Sequence, residues 1–427
     1  RMSGKEKKSQ KVRLLHYADK NRDFIRSAGL LNATYFVSCL GDRLWTFALG
    51  LFITHLGGLS WVAVGQLIDS ASRLLLSPIV GAKLDNIERN KGMQLVLAAN
   101  NLSILCSCSL FFAALTQFEA GNRTTADLFL IQAIICNSLA RVAGGAQRTI
   151  FTKDWVVLIV QSSRNGKLST QNSLLTLVDQ TVASIAPLVA GLFIDSAGLR
   201  YTCICLLVWN IVSWTVEAAS LSFVFRVTPA LSAKREPKTN LAKKRVSGGI
   251  SAWHSYFRQP CFLAAFGLAL CYMTILGFDS IAISYGVSQG LSASLLGAFR
   301  SGGAFLGALG ALAYPLLERR VGLLATALLG YSLQVLFINF CSVSTLVPGN
   351  PFDAAGYFSN ATLKSWVSDA SASLLNGGRR NLTAAAGGVE ASVFTVSEMP
   401  PTLLLFFSGI MLARFGLWMA DPSISQI

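Results

Sequence analysis

Long apolar runs separated by short polar or basic breaks organise this chain. Counted with their turn or charge punctuation, the runs lie near 28–55, 61–84, 92–116, 126–152, 168–194 and 200–225. Beyond a polar stretch they resume near 260–288, 292–317, 321–345 and 399–421. At about 1.5 Å per residue each run can cross the ~30 Å of a bilayer's hydrocarbon core. The pattern therefore predicts an all-α polytopic membrane protein with ten transmembrane helices, six and then four, in two helical bundles. The predicted units are a basic tail over 1–27, a six-helix bundle over 28–225, a basic linker over 226–259 and a second bundle over 260–427. The last contains a long Gly-, Ser-, Ala- and Asn-rich loop at 346–398. Transporters built from two pseudo-repeated halves commonly pair six spans with six, so two further spans are expected beyond Ile427.

Composition agrees with that pattern. Hydrophobic residues make up 52% of the chain and charged ones 13%, against about a quarter charged in soluble domains. Mean hydropathy is +0.52. A net charge of +15 could point to nucleic acid, but the basic residues sit between apolar runs, where they encode topology instead. With the tail on the cytosolic side, the cytosolic segments hold 26 Lys and Arg. The opposite side holds Arg123, Arg200, Lys364, Arg379 and Arg380. That asymmetry places the N-terminus in the cytosol. Asn122-Arg-Thr, Asn360-Ala-Thr and Asn381-Leu-Thr, three glycosylation acceptors, then fall outside. The nine cysteines lie in or beside apolar runs, which is neither a disulfide framework nor a zinc pattern. Only three histidines occur, and no nucleophile with its base, phosphate loop or metal triad is found, so an enzyme is not expected.

Ions inside the apolar runs are the candidate chemistry, since one Asp or Arg at mid-span costs roughly 2.5–3.5 kcal/mol even on insertion scales. Asp42-Arg43 interrupts the first run, and Asp179, Glu217 and Asp279 lie within the fifth, sixth and seventh. Carboxylates converging with Asn and Thr make a hard-oxygen cation site or a proton relay. The competing structural account is an Asp–Arg pair closing a helix contact. Asp69 and Arg73, four apart, are simplest as an intrahelical pair. Between the second and third runs, Gly81, Asp85 and Arg89 are spaced as a glycine, an acid and a base on successive turns. Such a loop can lock a neighbouring helix in one state of an alternating-access cycle, with Lys153-Asp154-Trp155 as its partner. Trp155 could equally be a tryptophan at the membrane interface.

An ordered series of motifs resembles the ferroportin family of the major facilitator superfamily. It includes Gly41-Asp42-Arg43-Leu44-Trp45, Asp154-Trp155, Asp179-Gln180, Trp209-Asn210 with Glu217, Leu276-Gly277-Phe278-Asp279, Gln289-Gly290-Leu291-Ser292 and Ala413-Arg414-Phe415-Gly416-Leu417-Trp418. The resemblance implies a major facilitator fold in the plasma membrane and proton-coupled efflux of Fe2+ as substrate, through a cavity between two halves. It implies metal contacts at Asp42, Asp279, Ser280 and Asp179, and a calcium-like set of Asp42, Asn100, Asn210 and Glu217. It implies no permanently bound cofactor, with Ca2+ as a modulating ion. Where ferroportins carry His after the first-span Asp this chain has Thr46, and where they carry Cys in span seven it has Ser280. Losing imidazole and thiolate leaves oxygen ligands, which suit harder cations. Because the same Cys takes part in binding the peptide hepcidin, that partner is not expected in its usual form. Two other functions stay open: a non-transporting regulatory or binding isoform, and a facilitator transporter for another divalent cation or an organic solute.

Overall fold

The computed structural model describes residues 26–162, 168–232, 277–347 and 399–421, the helical backbone of 4–25 and 422–424, and short pieces within 257–270 and 362–372. Asn360, Asn381 and most of the linker and the long loop lie outside the described residues. Among the described residues the regular elements are helical: α1 (Gly4–Leu84), α2 (Arg89–Glu119), α3 (Arg123–Thr149), a π-helical turn (Ile150–Trp155), α4 (Val156–Ser162), α5 (Leu168–Val227), α6 (Pro229–Ser232), α7 (Ser280–Ser288), α8 (Ala293–Val321), α9 (Leu323–Ser344) and α10 (Pro401–Ile424).

Among the described residues, seven helices are long and apolar enough to cross a membrane, where the runs predict ten separate spans. The difference has two sources. Two of the seven, Arg26–Leu84 and Thr170–Val227, are 59 and 58 residues long, roughly three times what a ~30 Å core requires. Each is broken at a glycine, Gly58 at φ 75° and Gly198 at φ 82°. Only glycine adopts that backbone without a steric penalty. The chain folds back there: Thr46 and Asp69, on opposite sides of Gly58, both contact Arg141. The second source is the seventh run, of which the described helix is the nine-residue α7.

The packing is that of a membrane bundle. On α2, Met93, Leu97, Ile104, Cys108, Phe111 and Leu115 recur at helical spacing and are buried, while Leu95, Leu102 and Phe112 point outward. Many other large apolar side chains face out, among them Leu74, Leu312 and Leu324, as expected where the surroundings are lipid. One core lies within the first half around Trp155, Leu31, Met93 and Leu221. A second joins the halves through Phe47, Phe52, Phe111, Ile283, Leu296 and Phe407.

Small residues let the halves approach. A Cβ on Gly191 would come within 2.3 Å of the Ala293 carbonyl oxygen, and one on Gly297 within 2.3 Å of that of Pro187. α5 and α8 thus touch backbone to backbone near the Gly198 end. The same end carries a polar tie: the Asp195 carboxylate accepts from the amides of Ala293 at 3.1 Å and Ser294 at 2.7 Å, the first residues of α8.

Candidate functional site

Between the halves lies a cavity of about 470 Å³. Asp42, Asp179, Asp279 and Ser280, from α1, α5, the turn before α7 and α7 itself, all line it. Four positions far apart in sequence are thereby brought to one space. Their carboxylates are not equivalent. Asp179 is held between Arg43 at 2.9 Å and Arg148 at 3.3 Å. Asp279 caps α7, accepting from the Ala282 amide at 3.1 Å. Asp42 has no ion pair within 4 Å among the described residues and opens into the cavity. Ser280 packs against α1, within 3.2 Å of where a Gly50 Cβ would stand.

Thr46 turns its hydroxyl elsewhere. It donates to the Asp42 carbonyl at 2.6 Å and accepts from Arg141 at 3.3 Å. Asp69 pairs with Arg73 at 3.2 Å, as the spacing predicts, and also with Arg141 at 3.6 Å, which one-dimensional spacing could not reveal. Six arginines and four aspartates line this cavity.

A second, smaller cavity of about 20 Å³ adjoins it within the first half. Asp42 lines both, and here Asn100, Asn210 and Glu217 complete the calcium-like set. Its volume matches one water or one ion. The polar groups around it are tightly arranged: Asn100 donates to Gln147 at 3.2 Å, and Gln147 donates to Glu217 and to Ser38, each at 3.2 Å. Asn210 donates to Asn101 at 2.9 Å, while its own carbonyl oxygen is buried without a partner among the described residues. An orphaned amide oxygen beside two carboxylates is the donor set a hard cation takes. Gln147 is absent from the set predicted by sequence, because a glutamine near a helix end carries no periodic signal.

At the opposite end from Gly198, Arg89 reaches Asp154 at 3.1 Å, joining α2 to the π-helical turn. A π-turn inserts one residue and re-aims the side chains beside it. Asp85 is exposed on the turn after α1, with its amide on the Gly81 carbonyl at 3.0 Å. Gly81 has nothing within 4 Å of its Cβ position, so no close helix approach occurs there. Trp155 is fully buried in the first-half core against Phe225. Asn122 is exposed at the start of α3. The seven described cysteines are free thiols. Among the described residues, no three His, Cys, Asp or Glu side chains come close enough to ring a metal ion.

The family model described as Ferroportin1 (FPN1) matches residues 26–427. The chain belongs to the ferroportin family. Its similarity to human ferroportin is 29% identity, covering 95% of this chain and 81% of that protein. To zebrafish solute carrier family 40 member 1 it is 27%, covering 96% and 82%. Among solved structures, a bacterial homologue of the iron transporter ferroportin in an inward-facing state has a TM-score of 0.68 at 18% identity, over 94% of this chain and 83% of that one. The outward-facing state has a TM-score of 0.57. The family is one of membrane transporters.

Proposed function

We propose that this member of the ferroportin family exports iron across the plasma membrane by alternating access, with the N-terminus cytosolic. One observation carries the reading: Asp42, Asp179, Asp279 and Ser280, distant in sequence, line one cavity between the two halves. The asymmetry of Lys and Arg supports the orientation. With that orientation the Gly198 end faces outward, and the contacts of α5 with α8 close the cavity on that side. The greater likeness to the inward-facing relative supports the same state. The Arg89–Asp154 pair then lies at the cytosolic end, where it holds α2 to the π-turn.

Cavity carboxylates give protons a place to bind, which is what coupling of efflux to protons requires. Ca2+ would be held by Asp42, Glu217, Asn100 and Asn210 of the small cavity, supplying positive charge among two carboxylates. Asp42 would tie that occupancy to the central cavity, because its carboxylate borders both. Serine at 280 removes the thiol that a hepcidin-type peptide would meet, so export should be insensitive to such a peptide.

The test is efflux of radioactive iron from cells expressing the chain. Asp42→Ala should lower it at least tenfold at equal surface abundance, and unchanged efflux would remove Asp42 from the path.

A further inference from the structure

The six arginines and four aspartates of the central cavity leave it a formal surplus of two positive charges. Two aspartates are already committed to guanidinium pairs: Asp179 to Arg43 and Arg148, and Asp69 to Arg73 and Arg141. Asp279 is turned to the α7 amides. Arg300 of α8 is different. Its guanidinium lies 5.8 Å over the Phe47 ring, and its Nη1 is enclosed without a hydrogen-bond partner among the described residues. Guanidinium donors are made for carboxylate oxygens, and an enclosed one is costly until it meets them. The positive end of the α7 helix dipole borders the same space.

A bare dication entering such a space meets like charge, and Thr46, whose proton goes to the Asp42 carbonyl and one lone pair to Arg141, offers it at most one neutral hydroxyl lone pair. The volume of about 470 Å³ falls in the range of small-molecule sites, roughly 300–1,000 Å³. The adjoining cavity of about 20 Å³ is ion-sized by comparison. We propose that the central cavity takes a small polycarboxylate, free or holding iron in a net negative complex, with its carboxylates toward Arg300 and any iron toward Asp42. This rests on the export reading of the same cavity.

The chain reconstituted in liposomes loaded with 55Fe2+, 14C-citrate or both tests it. The expected result is release of 14C, and iron released at least tenfold faster with citrate than without. Arg300→Met should abolish the citrate-dependent part, and Arg300→Lys should keep most of it. Release of 14C at one rate with or without iron would support the free acid as ligand. Iron leaving equally fast without citrate, with 14C retained, would overturn the inference and leave iron export standing. Retention of both labels would overturn both. Independent of any variant, citrate should raise the unfolding temperature of the solubilised chain where chloride of matched ionic strength does not. No difference between the two salts would count against the proposal.

Discussion

Asp195→Ala should open the cavity to the outside. In the present state its carboxylate accepts two amides of α8, at 3.1 and 2.7 Å, across the boundary between the halves. Those amides belong to the unsatisfied first turn of a helix whose dipole favours a negative charge. A lost helix cap costs about 0.5–2 kcal/mol and a lost dipole contact about 0.3–1 kcal/mol. Asp195 is exposed, so about 1–2 kcal/mol is the combined effect after screening. The contact exists only while α5 and α8 stay together at this end. On the proposed alternating access, its loss moves the equilibrium between the two states by about 5–30-fold, since 1.4 kcal/mol is tenfold. A reporter cysteine at Ser70, which lines the cavity, in a background with the native cysteines replaced, should react that much faster with an impermeant maleimide from outside. Ser292→Ala is the control. Its hydroxyl accepts from the Leu295 amide at 3.1 Å at the start of α8 itself, a bond that does not reach α5. Outside labelling within twofold of wild type for Asp195→Ala, or an equal rise for Ser292→Ala, would refute the latch.

Reversing Arg89 and Asp154 together should restore more transport than either single change allows. The pair is mostly enclosed at 3.1 Å, so each single change removes one charge-assisted bond, at a cost of about 1.5–3 kcal/mol; a thermal-stability double-mutant cycle reads the coupling. Gly297→Ala places a methyl 2.3 Å from the Pro187 carbonyl oxygen, so the halves must part there by enough to destabilise by about 1–3 kcal/mol. A lowered unfolding temperature and faster outside labelling of the same reporter should follow. Glu217→Gln removes a carboxylate from the small cavity, and calorimetry should find Ca2+ affinity at least tenfold weaker, with the central cavity's response to citrate kept. Asn137→Leu strands the buried Trp45 indole N–H, which donates to Asn137 at 3.0 Å. That costs about 1–3 kcal/mol, to be read as a fall in unfolding temperature.

Much of the architecture was legible from periodicity alone, because lipid forces every spanning segment to be a long apolar helix. Asp42, Asp179 and Asp279 stood out for a related reason: charge inside such a helix is too costly to be incidental. The Asp69–Arg73 pair followed from a helix's own geometry, which spacing determines. What no one-dimensional pattern could supply was the company each charge keeps. Asp179 faces Arg43 and Arg148, from α1 and α3, and only the fold could make a clamped carboxylate of it. Asp42 stayed open between two cavities because its neighbours are set by α2, α3, α5 and the turn before α7, not by the residues beside it. Asp195 carried no signal at all, since an exposed acid near a helix break looks like any solvated loop end. Its meaning came from α8, about a hundred residues later in the chain. The sequence by itself determined that the chain has long apolar helices fit to cross a membrane and which ions lie within them; the tertiary structure decided which of those ions remain unpaired, because pairing depends on distances between helices that local periodicity does not encode.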